Sequence, residues 1–418
     1  MMNADFDPFT LAARKYKDFP GNPERVYRAL CYVLSDRADQ VDWEAFTADD
    51  WCILKPMAET EGVAPLVWWK LGHGMARATE WHGMARATEW HGMARATEWH
   101  GMARATEWHG IARNGTGDGM ARNGTEGGMA RNGTEGGRRA TAASLPIPAG
   151  LLDSLAPAYY ETLARNTLLL QELGRILEAF EQAGIEVIVL KGAALAQTLY
   201  EDIGLRPMSD IDLLVRPEDV WRVWKIICSL GYQSKVVGDE LQCFKDGNIL
   251  VELHWTVHWF YLSWRKDWLN WLWKHSQILS RCRHLAPSGS QVFLIGHLGN
   301  HYFLRELQLL WLYDIWQSTQ RYGRLVQQLN VFPSMKIWTS CVMDVVDRCF
   351  GSGMIHGEHT QQANIALHWM SMRSKLAYLK ASIFSGVLAL SWRDRLWLSS
   401  LFVQRLWNFP RLHQPVES

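Results

Sequence analysis

The sequence predicts an α+β fold in which a short β-rich core lies between two helical regions and a repeat-rich insertion interrupts the first of them. Three observations lead there. Runs of β-branched residues and a hairpin signal are confined to residues 185–255. The stretches before and after them carry apolar residues at three- and four-residue spacing, the period of an amphipathic helix. Between Gly74 and Gly136 a nine-residue unit recurs, four times without a change as GMARATEWH and then as GIARNGTGD, GMARNGTEG and GMARNGTEG.

The chain has 418 residues, enough for more than one domain and a sizeable core. Lys+Arg and Asp+Glu both count 43, and this balance argues against bulk binding of nucleic acid, which shows as a basic excess or stripe. Seven cysteines are scattered without a C-x-x-C pair, so neither a zinc site nor a disulfide framework is expected, and a reducing cytoplasm fits. The opening residues lack the apolar run of a signal peptide. The apolar segment 381–392, bracketed by Lys380 and Arg393, is shorter than the roughly 18–20 residues that span a bilayer, so no transmembrane segment is expected and a buried helix is.

Taken in order, residues 23–72 carry helical patterning. The repeats follow. Nine residues make two and a half helical turns, so successive histidines of the array would point to opposite faces of a helix and could not form one metal-binding row. The later copies are rich in Gly, Asn and Thr, as flexible loops are, and a disordered insertion is expected there. Residues 148–184 are again helical, with Gly184 as the stop. IEVIVLKG (185–192) reads as a buried strand entering a glycine turn, AALAQTLYED as a helix, RPMS as a loop and DIDLLV (210–215) as a second strand. Residues 217–232 form a helix with Pro217 in its first turn. LQCFKDGNILVELHW (241–255) is a hairpin turning at Asp246, Gly247 and Asn248.

Residues two apart in a strand share a face, so Asp210 and Asp212 are expected side by side with Ile211 turned into the core. Two carboxylates so close repel unless a cation lies between them, and a magnesium site accounts for the pair. Glu252, flanked by Val251 and Leu253, is a third acid on a strand with apolar neighbours, where a charge needs a partner or a metal.

LKGAALAQTLYEDIGLRPMSDIDLLV followed by VELHW resembles the bacterial family of uncharacterised nucleotidyltransferases, within the polymerase β-like superfamily. The segment GHLGNHYFLRELQLLWLYDI (296–315) is similar to that family's His-rich helix and Trp-Leu-x-Asp segment. The resemblance implies a small mixed β-sheet nucleotidyltransferase core with helical flanks. It also implies transfer of a nucleoside monophosphate from an NTP donor to an acceptor hydroxyl or phosphate. The acceptor class stays open among a small molecule, a peptide, a protein and an RNA end. Asp210, Asp212 and Glu252 would be the catalytic, metal-binding set for two Mg2+ ions, with Mn2+ as a substitute, and Glu252 would help deprotonate the acceptor. Gly192 would let backbone amides approach the nucleotide phosphates, and Lys191 would bring a point charge to them. Arg206 and Ser209 are further candidates for the triphosphate. Ala193 departs from the superfamily, which usually has Ser or a second Gly there, so no side-chain hydroxyl is available to the phosphates at that position.

Two other readings compete with nucleotidyl transfer: phosphoryl transfer on the same core, and a catalytically idle nucleotide-binding or interaction module. His254 projects opposite to Leu253, so it is either near the metals or a satisfied core histidine. Residues 254–275 hold six of the 23 tryptophans. Trp264, Trp268 and Trp271 fall at helical spacing, which favours a seam for helical packing over a base-stacking platform. His297 and His301 share a helical face but lack the glutamate of H-E-x-x-H, and Asp314 is expected to cap or pair with them. The expected division is an N-terminal helical region 1–73, the insertion 74–143, the core with its leading helix 144–262, and a C-terminal helical domain 263–418.

Overall fold

The computed structural model describes residues 8–76, 145–237, 240–245, 249–255, 265–304, 307–325 and 333–351. Among them lie eleven α-helices and one seven-stranded mixed sheet, so the α+β expectation holds at this level. The repeats fall outside these residues except where α4 (Ala64–Ala76) runs into the first copy. His301, Trp264 and the apolar segment 381–392 also lie outside what is described of the side chains. No helix among the described residues is long and apolar enough to cross a membrane.

The N-terminal helices form where the local chemistry starts them. Asn22 caps α2 (Pro23–Leu34) by accepting from Arg25 N at 3.1 Å, with Pro23 preset at the first helical position. Thr47 and Asp50 form a reciprocal capping box at α3 (Ala48–Thr60). Both follow α1 (Pro8–Lys15). The long α5 (Leu151–Gln182) stops where Gly184 was expected to stop it. Gly184 takes φ +65°, Gly184 N donates to Glu181 O and Ile185 N to Phe180 O at 2.9 Å each, and the chain is released into the sheet.

The sheet order is β3-β4-β5-β2-β1-β7-β6, with β1 (Val187–Val189), β2 (Ile211–Val215), β3 (Gln233–Val237), β4 (Glu240–Lys245), β5 (Ile249–His254), β6 (Ser276–Leu279) and β7 (Cys282–Leu285). β2 runs antiparallel to β1 and parallel to β5. The expected hairpin is β4–β5, while β3 extends it into a meander. β6 and β7 fall in the region expected to be helical, and β7 pairs parallel with β1. The sheet therefore continues past residue 262, and the stretch 263–418 contributes to it as well as to helices.

Alternation divides the sheet into two faces. Ile211, Leu213 and Val215 of β2 and Val251 and Leu253 of β5 turn toward Leu173, Ile176, Leu177 and Phe180 of α5 and toward Val223 and Ile227 of α7 (Val220–Ser229). Full burial of such side chains contributes about 1.5–3 kcal/mol each, so this packing fixes the register. The same register sends Asp212, Leu214, Glu252 and His254 to the opposite face.

Between β1 and β2 lies α6 (Lys191–Thr198). Four helices follow β5: α8 (Arg265–Lys274), α9 (Pro287–Leu304), α10 (Leu309–Tyr322) and α11 (Pro333–Phe350). Trp268 and Trp271 stack at 5.2 Å between centroids and are buried, which is the packing seam expected of that segment. Glu61, at the end of α3, accepts Leu309 N at 2.7 Å and Lys15 Nζ at 2.6 Å, so its carboxylate caps α10 from the N-terminal helices. The described residues up to Leu71 and from Pro146 to Gly351 accordingly belong to one compact unit.

Candidate active site

Parallel pairing of β2 with β5 puts Asp212 opposite Glu252 and Leu214 opposite His254. Because Asp212, Glu252 and His254 share a face, their ligand atoms all lie within 4.8 Å of one another. His254 Nε2 is 2.9 Å from Asp212 Oδ1 and 3.8 Å from Glu252 Oε2. Of the two readings left open for His254, the structure gives the one beside the acids. Gln242, opposite Glu252 on β4, donates to Glu252 Oε1 at 3.3 Å.

Lys191 reaches into the same cluster. Its Nζ donates to Asp212 Oδ1 at 2.7 Å, and Leu190 N donates to the Asp212 carbonyl at 3.0 Å, so the β1–α6 junction is tied to the acidic strand twice. Lys191 has φ +42°, a left-handed conformation that costs a side-chain-bearing residue about 1 kcal/mol. The turn that aims this lysine is thus held by its surroundings and not by its own preference.

Asp210 precedes β2 and stands outside the set of three ligand residues. β2 begins at Ile211, one residue later than the expected start, so Asp210 is the residue immediately before it. The charges of Asp210 and Asp212 still interact. Burial, and then the Asp212 carboxylate, raise the Asp210 carboxyl above its ordinary value, with Lys191 and the Ser209 side chain pulling the other way. Burial would also raise Asp212, but the Lys191 ammonium and the His254 contact outweigh it and hold that carboxyl well below the usual range. Lys191 responds in kind: burial alone would lower it, while Asp212, Asp210 and Glu252 together raise it.

The phosphate candidates are placed differently from expectation. Arg206 is buried and engages Asp314 through two bonds, Nε to Oδ1 at 3.2 Å and Nη2 to Oδ2 at 2.8 Å. Asp314 accepts from Arg206 and from the Tyr200 hydroxyl, while the side chain of His301, one of its expected partners, lies outside what is described. His297 contacts the rings of Phe293 and Trp311. Gly192 owes its lack of a side chain to packing: a Cβ there would stand 2.8 Å from both Arg206 Nη1 and Met208 Cβ. Ala193 is fully buried in the core shared with α5, so a hydroxyl there would face apolar side chains. Ser209 is exposed, and its carbonyl accepts from Arg165 Nη2 at 2.9 Å. Arg165 escaped sequence reasoning, as did the pairing of Asp314 with Arg206, because the partners lie 44 and 108 residues apart.

Two carboxylates and an imidazole converging on one point suit a divalent cation, as their donor atoms are within reach of one ion. Comparison with known families gives this geometry a context. Residues 137–333 match the family described as uncharacterised nucleotidyltransferase. The match runs from the segment before α5 to the start of α11, and so contains the whole sheet, Lys191, the acids, His254 and Asp314. No curated protein and no solved structure matches the chain.

Proposed function

We propose that the chain is a metal-dependent nucleotidyltransferase that moves a nucleoside monophosphate from an NTP to an acceptor hydroxyl or phosphate. The observation that carries this reading is the convergence of Asp212, Glu252 and His254 on one sheet face within the family-matched stretch. Asp212 and Glu252 would hold Mg2+ or Mn2+, with His254 beside them and Asp210 adding charge from the edge. Bound ions would neutralise the triphosphate and lower the barrier to in-line displacement at the α-phosphorus.

The residues themselves supply the remainder. Glu252, half-buried and held by Gln242, is oriented to take the acceptor proton. Lys191 brings a positive charge to the same face, and Arg165, beside Ser209, presents a guanidinium at the approach to Asp210. Arg206 acts from behind, bracing the loop that delivers Asp210 and Asp212. The acceptor is a small molecule, a peptide, a protein or an RNA end. The free cysteines among the described residues suit a reducing compartment such as the cytoplasm. In domain terms, residues 144–262 with their leading helix, completed by β6 and β7 from the stretch 263–418, form the catalytic core; 1–73 and the rest of 263–418 are its helical flanks, and 74–143 is an insertion.

Incubation with divalent metal and either α- or γ-labelled NTPs tests this. Label passing to an acceptor from the α position is the expected result. Transfer from the γ position alone would make the protein a phosphotransferase, and NTP binding without transfer would make it an idle nucleotide-binding module.

A further inference from the structure

We infer that Lys191 is an exchangeable counter-ion: its ammonium holds the Asp212 oxygen that a divalent cation needs, and gives it up when metal and nucleotide arrive together. The inference rests on the proposed metal role of Asp212, Glu252 and His254.

Asp212 Oδ1 already accepts from Lys191 Nζ at 2.7 Å, and it is also the oxygen that faces His254 Nε2 at 2.9 Å. An ion shared by Asp212 and His254 would draw on that same oxygen, at about 2.1 Å for the smaller divalent cations. Dication and ammonium would then stand a few ångströms apart on a face screened from water, where like charges repel strongly. One of the two must withdraw. Asp212 is only 2% exposed at its side chain and is fixed in the middle of the sheet, whereas Lys191 keeps 20% and has four rotatable bonds. Lysine is the mobile partner.

Without the ammonium, Asp210, Asp212 and Glu252 would repel one another uncompensated. All three act on Lys191, which therefore balances the cluster before any ion enters. Once displaced, the ammonium lies on the face where the phosphates are proposed to bind and can pair with them. The lysine would thereby couple ion entry to nucleotide entry, disfavouring metal alone and favouring the metal–nucleotide pair. Its left-handed backbone, φ +42°, turns the side chain back over β2 and fits this function better than it fits a helix start.

Calorimetric titration of Mn2+ into the full chain and into two variants tests the competition. Lys191→Gly removes the ammonium and tolerates the positive φ; Lys191→Met removes the charge and keeps the bulk. Both are expected to bind Mn2+ about tenfold more tightly than the parent, the scale of one opposite-charge contact released. In the presence of Mn2+, both are expected to bind a non-hydrolysable ATP analogue more weakly. Unchanged or weaker Mn2+ binding in both variants would overturn the inference while leaving the metal site in place, provided Asp212→Asn abolishes binding to the parent. If the parent binds no Mn2+ and Asp212→Asn changes nothing, the proposed function fails and the inference fails with it.

Discussion

The guanidinium of Arg206 and the carboxylate of Asp314 form a doubly bonded ion pair buried between the loop that leads into β2 and helix α10, with side-chain exposures of 7% and 1%. Because Arg206 also packs on Gly192, the pair braces both the Lys191 turn and the Asp210–Asp212 strand from behind. Removing one partner leaves a buried charge without compensation, at a cost of about 3–5 kcal/mol. Asp314→Ala should therefore lower the urea midpoint sharply. Asp314→Leu combined with Arg206→Leu should recover much of that loss, since neither charge is then stranded. If the double variant is as unstable as the sum of the singles, the pair is not the unit of stabilisation described.

Gly192 and Ala193 separate packing from phosphate chemistry. A methyl group at 192 meets Arg206 and Met208 at 2.8 Å, so Gly192→Ala should destabilise the fold by roughly 1–3 kcal/mol. Ala193→Ser restores the hydroxyl usual in the superfamily but buries it among apolar side chains. It should cost about 1–3 kcal/mol in thermal or chemical denaturation and leave nucleotide affinity where it was. A clear gain in NTP affinity on Ala193→Ser would place residue 193 toward the site and not toward the core.

The two aspartates should respond to pH with opposite sign. Asp212 lies below its ordinary value, so its contribution to stability is full above the unfolded carboxylate range of about 4 and is lost as pH falls through the folded value. Asp210 lies above its ordinary value, so its contribution is present below that range and is lost as pH rises through the folded value. At neutral pH, Asp210→Asn should melt above the parent, because it removes a like charge from beside Asp212. Asp212→Asn should melt below it, because it strips the partner from Lys191. The Asp210 difference should vanish by about pH 3, where the parent's carboxyl is protonated in both states. The Asp212 difference should persist to more acid conditions. Both variants should lose transfer activity while remaining folded by circular dichroism, and retained turnover in Asp212→Asn would sink the metal assignment.

Much of the site could be read in the chain because its determinants are local. The alternation of ILVELH dictates which of its side chains leave the core, and the two-residue period of a strand turns Asp212 away from the face of Ile211 and Leu213, so Asp212 falls on one face of its strand and Glu252 with His254 on one face of theirs. That the two faces are the same one depends on β2 pairing parallel with β5, which no short-range pattern specifies. β3, β6 and β7 were not legible for a related reason. QSKVV, SQIL and CRHL are short and half polar, and they become strands by adding to edges that already exist. The contacts of Lys191 and Arg206 are likewise long-range, and residue type alone left both of them free to meet a phosphate.

The insertion provides the last test. Trp68 of α4 packs on Tyr159 of α5 at 4.8 Å between ring centroids, and Trp69 stacks on the same tyrosine at 6.2 Å. These contacts join the helices on either side of the repeats without using the repeats themselves. Closing a loop costs free energy only as the logarithm of its length, so shortening one of this size to about ten residues should change stability by only about 1.5–2 kcal/mol. Replacing residues 78–143 by a short Gly/Ser linker should leave the melting temperature within about 3 °C of the parent, with Mn2+ affinity unchanged. Loss of the cooperative transition would show that the repeats carry part of the fold. Loss of Mn2+ binding alone, with the transition intact, would show that they contribute to the site.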